Sequence, residues 1–438
     1  MVSSQWTHVI KQLREVAVIV TGGMICFSGI SLYQGNEKFY RQFVMPAVKI
    51  LSPENAHRLG VALAKYQLFG RSSVADPAIL KTKVWDLEFR NPVGVAAGFD
   101  KHGEAVDGLL KIGFGFVEVG SITPKPQPGN PKPRVFRLDE DCAVINRYGF
   151  NSDGHEVVYN RLMERNKKTV KINTLIDDSR NMLNLNFWAD KFNSFTFQHK
   201  EPGILGINLG KNKTSENSEQ DYASGVSLFG QLADFLVVNI SSPNTPGLRN
   251  LQGRENLEKL IDRALLERDQ LKCERKPPIL VKIAPDLTES DRQDIARVVM
   301  REHSLVDGLI ISNTTVYRDK SLISKNRKET GGLSGVPLRE MSTQILSDMY
   351  SLTQGKIPII GVGGISSGKD AYDKIRAGAS LVELYTVMTY QGPVVVNRIK
   401  RELAELLQKD GYSSVSDAVG ADHRSNFKKN REIEAITR

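Results

Sequence analysis

The apolar and polar positions settle into a regular rhythm from Asn91 onward. Short apolar runs alternate with helix-length segments: VGVAAG from Val93, FVEVG from Phe116, ILGINL from Ile204, FLVVNI from Phe235, ILVKI from Ile279, GLIIS from Gly308, PIIGVGG from Pro358 and LVELYT from Leu381. Most of these runs are rich in β-branched residues. Continuous apolar strands separated by helices belong to a parallel sheet buried on both faces, and eight such units predict a (β/α)8 TIM barrel of the α/β class. A doubly wound sheet is the alternative, but it gives no reason for eight.

A barrel places its chemistry where the strands end. The ends of the eight runs supply Lys101, Ser121, Asn208, Asn239, Lys282, Asn313, Gly363 with Gly364, and Tyr385 with Thr386. One of them opens the unusual stretch FLVVNISSPNTPGLR, Phe235 to Arg249, in which a buried strand turns into small polar residues stiffened by Pro243 and Pro246. An isolated cluster of Asn, Ser and Pro is ordinarily a turn. Seven other strand ends of the same character put this one on the rim of an active site.

The N-terminal pattern is different. Val16 to Asn36 carries no charged residue, and 21 uncharged residues can cross a hydrocarbon core of roughly 30 Å as a helix. Upstream lie Lys11 and Arg14 with no acid before Glu15, as in a mitochondrial targeting segment. A secretory signal or a buried helix is the alternative, yet the run is long for a signal core and no A-x-A-like cleavage site closes it. Residues 1–15 are therefore expected to target, and 16–36 to stay as a transmembrane anchor. Two apolar helical patterns follow within residues 37–75: Phe39 to Leu51, split by Pro46, and Glu54 to Phe69, with Ser52 as N-cap and Pro53 in the first turn. They either line a hydrophobic doorway beside the membrane or simply pack on the main domain. The barrel itself is expected over 76–425.

Composition adds limits. With 438 residues, 40% of them hydrophobic, and 36 glycines, the chain has ample material for a large core and many loops. Cys26, Cys142 and Cys273 are scattered, so neither a disulfide framework nor a zinc site follows, and no metal is expected. Of the net charge of +9, five charges fall within residues 1–90, and no Lys/Arg block is interleaved with aromatics. No nucleic-acid partner is expected.

The last two strands carry a phosphate signature. GVGGISSGKDA follows the seventh strand and opens a helix, whose free backbone N–H groups can hold an anion. Gly363 to Lys369 nearly matches a Walker A loop, but Asp370 stands where Ser or Thr must meet magnesium, which excludes an NTPase. TGGLSG, Thr330 to Gly335, is a second glycine-rich turn.

These segments, with NPVGVAAGFDKHGEAVDGL, GFGFVEVGSITPKPQPGNPKPRVFRL, INRYGFNSDG, INLGKNKTS, LVKIAPDLT and ISNTT, closely resemble the membrane-bound, class 2 dihydroorotate dehydrogenases, in family order over residues 37–425. The resemblance implies a flavin mononucleotide (FMN) enzyme of pyrimidine synthesis on the inner mitochondrial membrane, crossing it once. It would oxidise dihydroorotate to orotate and pass the electrons to ubiquinone. It further implies that Ser334, Gly335, Gly363, Gly364, Tyr385 and Thr386 hold the FMN phosphate. Ala96, Ala97 and Gly98 would face the ring, with Ser121, Asn208, Asn239 and Ser312 bonding the ring and tail. Lys282 would stand at the ring's N1–O2 edge. For the substrate it implies Lys101 at the carboxylate, Asn146, Asn239, Asn244, Asn313 and Thr314 around the amides, and Arg147, Tyr148, Gly149 and Phe150 closing one side. Ser242 becomes the base that removes the C5 proton, and His57, Arg137 and Tyr385 the polar end of the quinone site.

Two other classes are weighed against this reading. The soluble class 1 enzymes and a dihydrouridine-synthase-like flavin barrel both favour a catalytic cysteine, and Cys273 lies before the fifth strand, at the wrong end. A catalytically silent pyrimidine sensor would keep the pocket and lose Ser242 or Lys282, yet both are present. Asn212, Asn239 and Asn313 formally match glycosylation sequons, which on a mitochondrial chain are false positives. An insertion at 166–203 and a tail at 426–438 depart from the family pattern, and neither touches the matched chemistry.

Overall fold

The computed structural model describes residues 2–70, 75–182, 203–302 and 305–425. Eight parallel strands close into a barrel: β1 (Val93–Val95), β2 (Phe116–Ile122), β3 (Ile204–Leu209), β4 (Phe235–Asn239), β5 (Ile279–Ile283), β6 (Gly308–Ile311), β7 (Ile359–Val362) and β8 (Ala379–Leu384). Each pairs with its neighbours in sequence, and β8 closes onto β1 through Val382, Glu383 and Leu384 against Val93, Gly94 and Val95. All eight predicted runs are these strands. They are buried almost throughout because helices cover the outside and side chains fill the inside.

The interior is layered by the alternation of side chains along each strand. At the N-terminal end Phe116 and Phe235 meet with ring centroids 6.1 Å apart. A Cβ on Gly94 would lie 2.4 Å from the Phe116 ring, and one on Gly206 2.2 Å from the Phe235 ring, so these strands need glycine opposite the two phenylalanines. The antiparallel hairpin Thr82–Val84 and Leu87–Phe89 plugs this end with Phe89 and Trp85. Two residues further along the strands, the inward positions change character. Phe116 gives way to Glu118, Gly206 to Asn208, Val237 to Asn239, Leu280 to Lys282 and Leu381 to Glu383. Polar residues thus fill the C-terminal end.

The N-terminal region differs from the sequence expectation in three ways. Helix α1 runs without interruption from Val2 to Tyr33, so residues 15 and 16 mark no structural boundary, and its membrane-length stretch is Ile10–Tyr33. The helix ends before Asn36, where Gly35 takes φ +62° and the Asn36 Oδ1 accepts from the Phe39 N–H at 3.1 Å. Pro46 does not split its helix, because the chain passes through a π turn, Tyr40–Val44, into Met45–Lys49 with Pro46 in the first turn, where no N–H is needed. Ser52 does occupy the N-cap of α2 (Pro53–Lys65), though its hydroxyl makes no capping bond.

Helix α2 is held against the barrel at close range. Gly108 permits this approach, since a Cβ there would lie 1.8 Å from the Ala64 carbonyl oxygen. Glu54 also receives Arg134 Nη2 at 2.8 Å and Nε at 3.3 Å. A three-stranded antiparallel sheet, Val135–Leu138, Ala143–Asn146 and Gly332–Gly335, sits over the barrel mouth. The first part of the insertion continues the helix His155–Met182; the rest, with the tail from 426, lies outside the described residues.

Candidate active site

One cavity of about 340 Å³ opens between α2, the helical turns before it and the C-terminal ends of the strands. Its outer wall is apolar, built from Tyr40, Val44, Met45, Ala56, Leu59 and Leu63, while its floor and inner wall are polar.

The floor rests on β2, β5 and β8. Lys282 Nζ lies 3.0 Å from Glu118 Oε2 and 3.9 Å from Glu383 Oε2, and neither carboxylate side chain is exposed. Burial alone would lower the pKa of this ammonium, but the negative charge beside it, Glu118 foremost, outweighs burial and raises it. Glu118 also accepts from the Ala97 N–H at 2.8 Å and from Asn208 Nδ2 at 2.7 Å. It thereby ties the small-residue wall Ala96, Ala97 and Gly98 to the floor. Neither glutamate was singled out from the sequence, although the signal was there: FVEVG and LVELYT each place a lone charge inside an apolar strand.

Around the floor runs a chain of amides and hydroxyls. Asn208 Oδ1 accepts from the Ser121 hydroxyl and, at 3.1 Å, from Asn239 Nδ2. Asn239 Oδ1 accepts from Ser241 Oγ at 2.9 Å, and Asn313 Nδ2 donates to Ser241 Oγ at 3.0 Å. At the rim Asn244 Nδ2 donates to Asn146 Oδ1 at 3.3 Å, bridging the β4 loop to the covering sheet. Asn208 itself lies one layer beneath the cavity lining. Burial of Asn239, with 3% exposure, and Asn212, with 6%, also removes two of the sequons as surface acceptors.

Ser242 lines the cavity and is 7% exposed. Its Oγ accepts from the Asn244 N–H at 3.3 Å, leaving the hydroxyl proton free to point elsewhere. The loop is locked from behind by Arg249. That guanidinium donates to the carbonyls of Ser241 and Thr314, each at 3.0 Å, and pairs with Asp286 at 2.8 Å. Three rim loops therefore converge on one side chain, which the sequence reading did not single out.

Lys101 lines the cavity with its ammonium 4.1 Å from the centre of the Tyr148 ring. Burial, helped by the nearby Arg134 charge, brings its pKa down to about 8. Gly149, Phe150, Ser312, Asn313 and Thr314 share the lining. Arg147 does not. Its guanidinium turns outward to Glu329, 2.6 Å away, and lies over Phe136, because that acid offers a partner the cavity lacks. Of the run expected to close one side, Asn146, Tyr148, Gly149 and Phe150 line the cavity and the Arg147 side chain does not.

At the far end the turns Ser334–Gly335, Gly363–Gly364 and Tyr385–Thr386 meet. Gly335, Gly363 and Gly364 have φ of +98°, +112° and +73°, a region open mainly to glycine, so the backbone itself forms the wall. Thr386 Oγ1 donates to Ser334 Oγ at 2.9 Å, joining two of the turns. Beneath Gly363, the buried Lys374 donates to Ser342 Oγ at 2.7 Å, and that hydroxyl stands 3.0 Å from the Gly363 carbonyl oxygen. The helix opened by GVGGISSGKDA is not the anion site expected of it. Its Ser367 caps the Asp370 N–H, the Gly368 N–H donates to Glu402, and Asp370 Oδ2 accepts from the Ser366 N–H, so its donors are already engaged by carboxylates and a hydroxyl. The three turns meet instead with their backbone facing the cavity.

His57 stands where the apolar wall meets the polar floor. Its Nε2 donates to the Phe99 carbonyl at 2.7 Å, and the Tyr148 hydroxyl reaches its Nδ1 at 3.4 Å, which fits the neutral ring. Burial and the Lys101 charge hold its pKa at about 4. Tyr385 donates to the Gly98 carbonyl at 3.2 Å. Arg137 donates to the carbonyls of Lys49 and Leu51, at 2.9 and 3.0 Å, closing the end of the short helix at the cavity mouth.

The sequence profile of the dihydroorotate dehydrogenase family matches residues 79–407. The mouse protein named dihydroorotate dehydrogenase (quinone), mitochondrial, is 53% identical over 421 residues, covering 96% of this chain and 99% of its own. The Arabidopsis thaliana protein of the same name is 49% identical, covering 93% and 89%. Among solved structures, the DHODH from Eimeria tenella in complex with ferulenol superposes with a TM-score of 0.76 at 44% identity, covering 85% of this chain and 96% of that one.

Proposed function

The chain belongs to the dihydroorotate dehydrogenase family, in its quinone-dependent branch, and from that premise we propose how its cavity divides the work. The reaction is the oxidation of dihydroorotate to orotate with a quinone as acceptor, a step of pyrimidine synthesis, and the chain is a flavoenzyme. The finer reading is that the flavin is FMN and the quinone ubiquinone.

The residues present fit FMN. The glycine turns at 335 and 363–364 present backbone to a phosphate, and Ala96, Ala97 and Gly98 offer a flat wall without bulky side chains. Lys282 supplies a positive charge beneath it. When bound, the flavin takes two electrons from the substrate and yields them to the quinone. Ser121, Asn208 and Asn239 would orient it, and Ser312 would meet its tail.

Dihydroorotate would lie between this wall and the β4 loop. Its amide edges need groups that donate and accept together, which Asn146, Asn244 and Asn313 do. Lys101 would meet the carboxylate, while Gly149 and Phe150 close the side. Ser242 would take the C5 proton. A serine is a weak base in water, so the positioning supplied by Asn244 and by the Arg249-locked loop carries the effect.

The quinone would enter through the apolar wall, with His57, Arg137 and Tyr385 at its polar end. Phe43, Ile50, Leu51, Tyr66 and Leu68 of the helical segment after α1 are exposed, as are most apolar side chains of α1 from Val16. This apolar helix and the relatives named mitochondrial support a membrane-associated mitochondrial protein. A single pass through the inner membrane by the stretch after residue 15 is the reading adopted here.

The observation that carries the proposal is the continuity of one cavity from the membrane-side helices to Ser242 and Lys282. The test is the visible spectrum of the purified protein before and after anaerobic dihydroorotate. A flavin spectrum bleached by that substrate is expected. A colourless protein, or a flavin the substrate leaves oxidised, contradicts the reading.

A further inference from the structure

The cavity floor holds two carboxyl groups and one ammonium, and the two carboxyl groups are not treated alike. Glu118 receives three donors: the Ala97 N–H, Asn208 Nδ2 and Lys282 Nζ. Among the described residues neither oxygen of Glu383 has a donor within bonding distance, the Lys282 ammonium being 3.9 Å away. Glu118 is the carboxylate that shares the Lys282 ammonium with Glu383, the two approaching it to 3.0 and 3.9 Å.

Two ionised carboxylates are both acceptors and cannot bond each other, whereas one shared proton lets them. Leaving an ionised carboxylate without a donor in a buried floor is costly. Three donors stabilise the charge on Glu118, so the proton belongs on Glu383. Burial, then repulsion from Glu118, pushes the pKa of Glu383 well above the usual carboxylate range. The strands flanking β8 bring only Val93, Gly94 and Val95 from β1 and Ile359, Ile360, Gly361 and Val362 from β7. None of these titrates, so Glu118 and Lys282 are the charged groups that face Glu383.

We propose that Glu383 is an un-ionised carboxylic acid that donates its proton to Glu118, and that it acts as a positioning residue by adding no second negative charge beside Lys282 at the cavity floor. With Glu383 neutral the three groups sum to zero; with it ionised they sum to −1. Electrons arriving above the floor meet less repulsion in the neutral case. The same acid is a redox-linked proton site, held more tightly when the cavity gains negative charge and lost at alkaline pH. The consequence for the redox potential rests on the flavin reading; the protonation state of Glu383 does not.

The test uses the full-length protein in detergent, unmodified and as Glu383→Gln, which keeps the shape and is permanently neutral. The infrared difference between the two at neutral pH is expected to contain the C=O stretch of an un-ionised carboxyl, sensitive to deuteration. Spectroelectrochemistry should give equal flavin content and equal midpoint potentials at neutral pH, with an additional alkaline fall in potential in the unmodified protein alone. Loss of carboxylate bands only, or a raised potential in Glu383→Gln at neutral pH, would overturn the proposal. Carbon-13 labelling of glutamate carboxyls tests the same band without substitution, and no shifted un-ionised band would again overturn it. A protein without flavin would count against the cavity reading and leave the infrared result to decide Glu383.

Discussion

The Lys101 ammonium stands 4.1 Å from the centre of the Tyr148 ring, a cation held against an aromatic face inside the site. This arrangement keeps the charge oriented toward the cavity while burial lowers its pKa to about 8. Below that pH the lysine is charged and can bind a substrate carboxylate; above it the charge is lost. The Michaelis constant for dihydroorotate should therefore climb as pH passes through about 8. Lys101→Met should raise it by roughly 10- to 100-fold, the worth of one hydrogen bond to a charged group, and abolish that climb. An unchanged pH profile in Lys101→Met would remove Lys101 from the carboxylate.

Arg249 gives a second prediction. Its bonds to Ser241, Thr314 and Asp286 are made by one planar group. Arg249→Ala removes the donor to two carbonyls and the countercharge of Asp286, which keeps the Thr315 hydroxyl and the Val316 N–H, and should lower unfolding free energy by about 2–4 kcal/mol while reducing turnover. Arg249→Lys should restore only part of both, because a point charge cannot reach three partners in one plane. Denaturant unfolding alongside turnover checks this. Equal stability in Arg249→Ala would mean the loop is held by other contacts.

The anchor can be tested by removing residues 1–36. Helix α1 leaves its apolar face uncovered, so the shortened chain should stay in the supernatant after a carbonate wash and still oxidise dihydroorotate with a short-chain quinone. Recovery in the membrane pellet would show that the helices from Glu37 onward suffice for attachment.

The barrel and its polar rim were legible because both follow from local pattern. Buried parallel strands read as apolar runs, and loops after them collect polar residues wherever they start in the sequence. Lys282 stood out as a charge in an apolar strand. Glu118 and Glu383 carried the same mark, yet their meaning depends on a cation 164 positions from Glu118, a pairing only barrel closure creates. Arg147 was misplaced for the opposite reason: it belongs to a matched run, but its partner Glu329 comes from a distant loop. The helix after β7 was misjudged because its N-terminal donors are used by Glu402, from another helix. Pro46 was read as a break because a π turn leaves no signature in spacing alone.

The central claim is that Ser242 is the base. Ser242→Ala removes one oxygen from a 7% exposed residue, so fold and flavin content should persist. Reduction of the flavin by dihydroorotate should slow by roughly 10²–10⁴, the usual contribution of a positioned general base. Ser242→Cys should recover part of that rate, and reoxidation by quinone should stay near normal because it involves no C5 proton. Stopped-flow absorbance separates the two half-reactions. Selective slowing of the reductive half in Ser242→Ala is the predicted result, and a reductive rate near that of the unmodified protein would contradict it, returning Ser242 to the role of a turn residue.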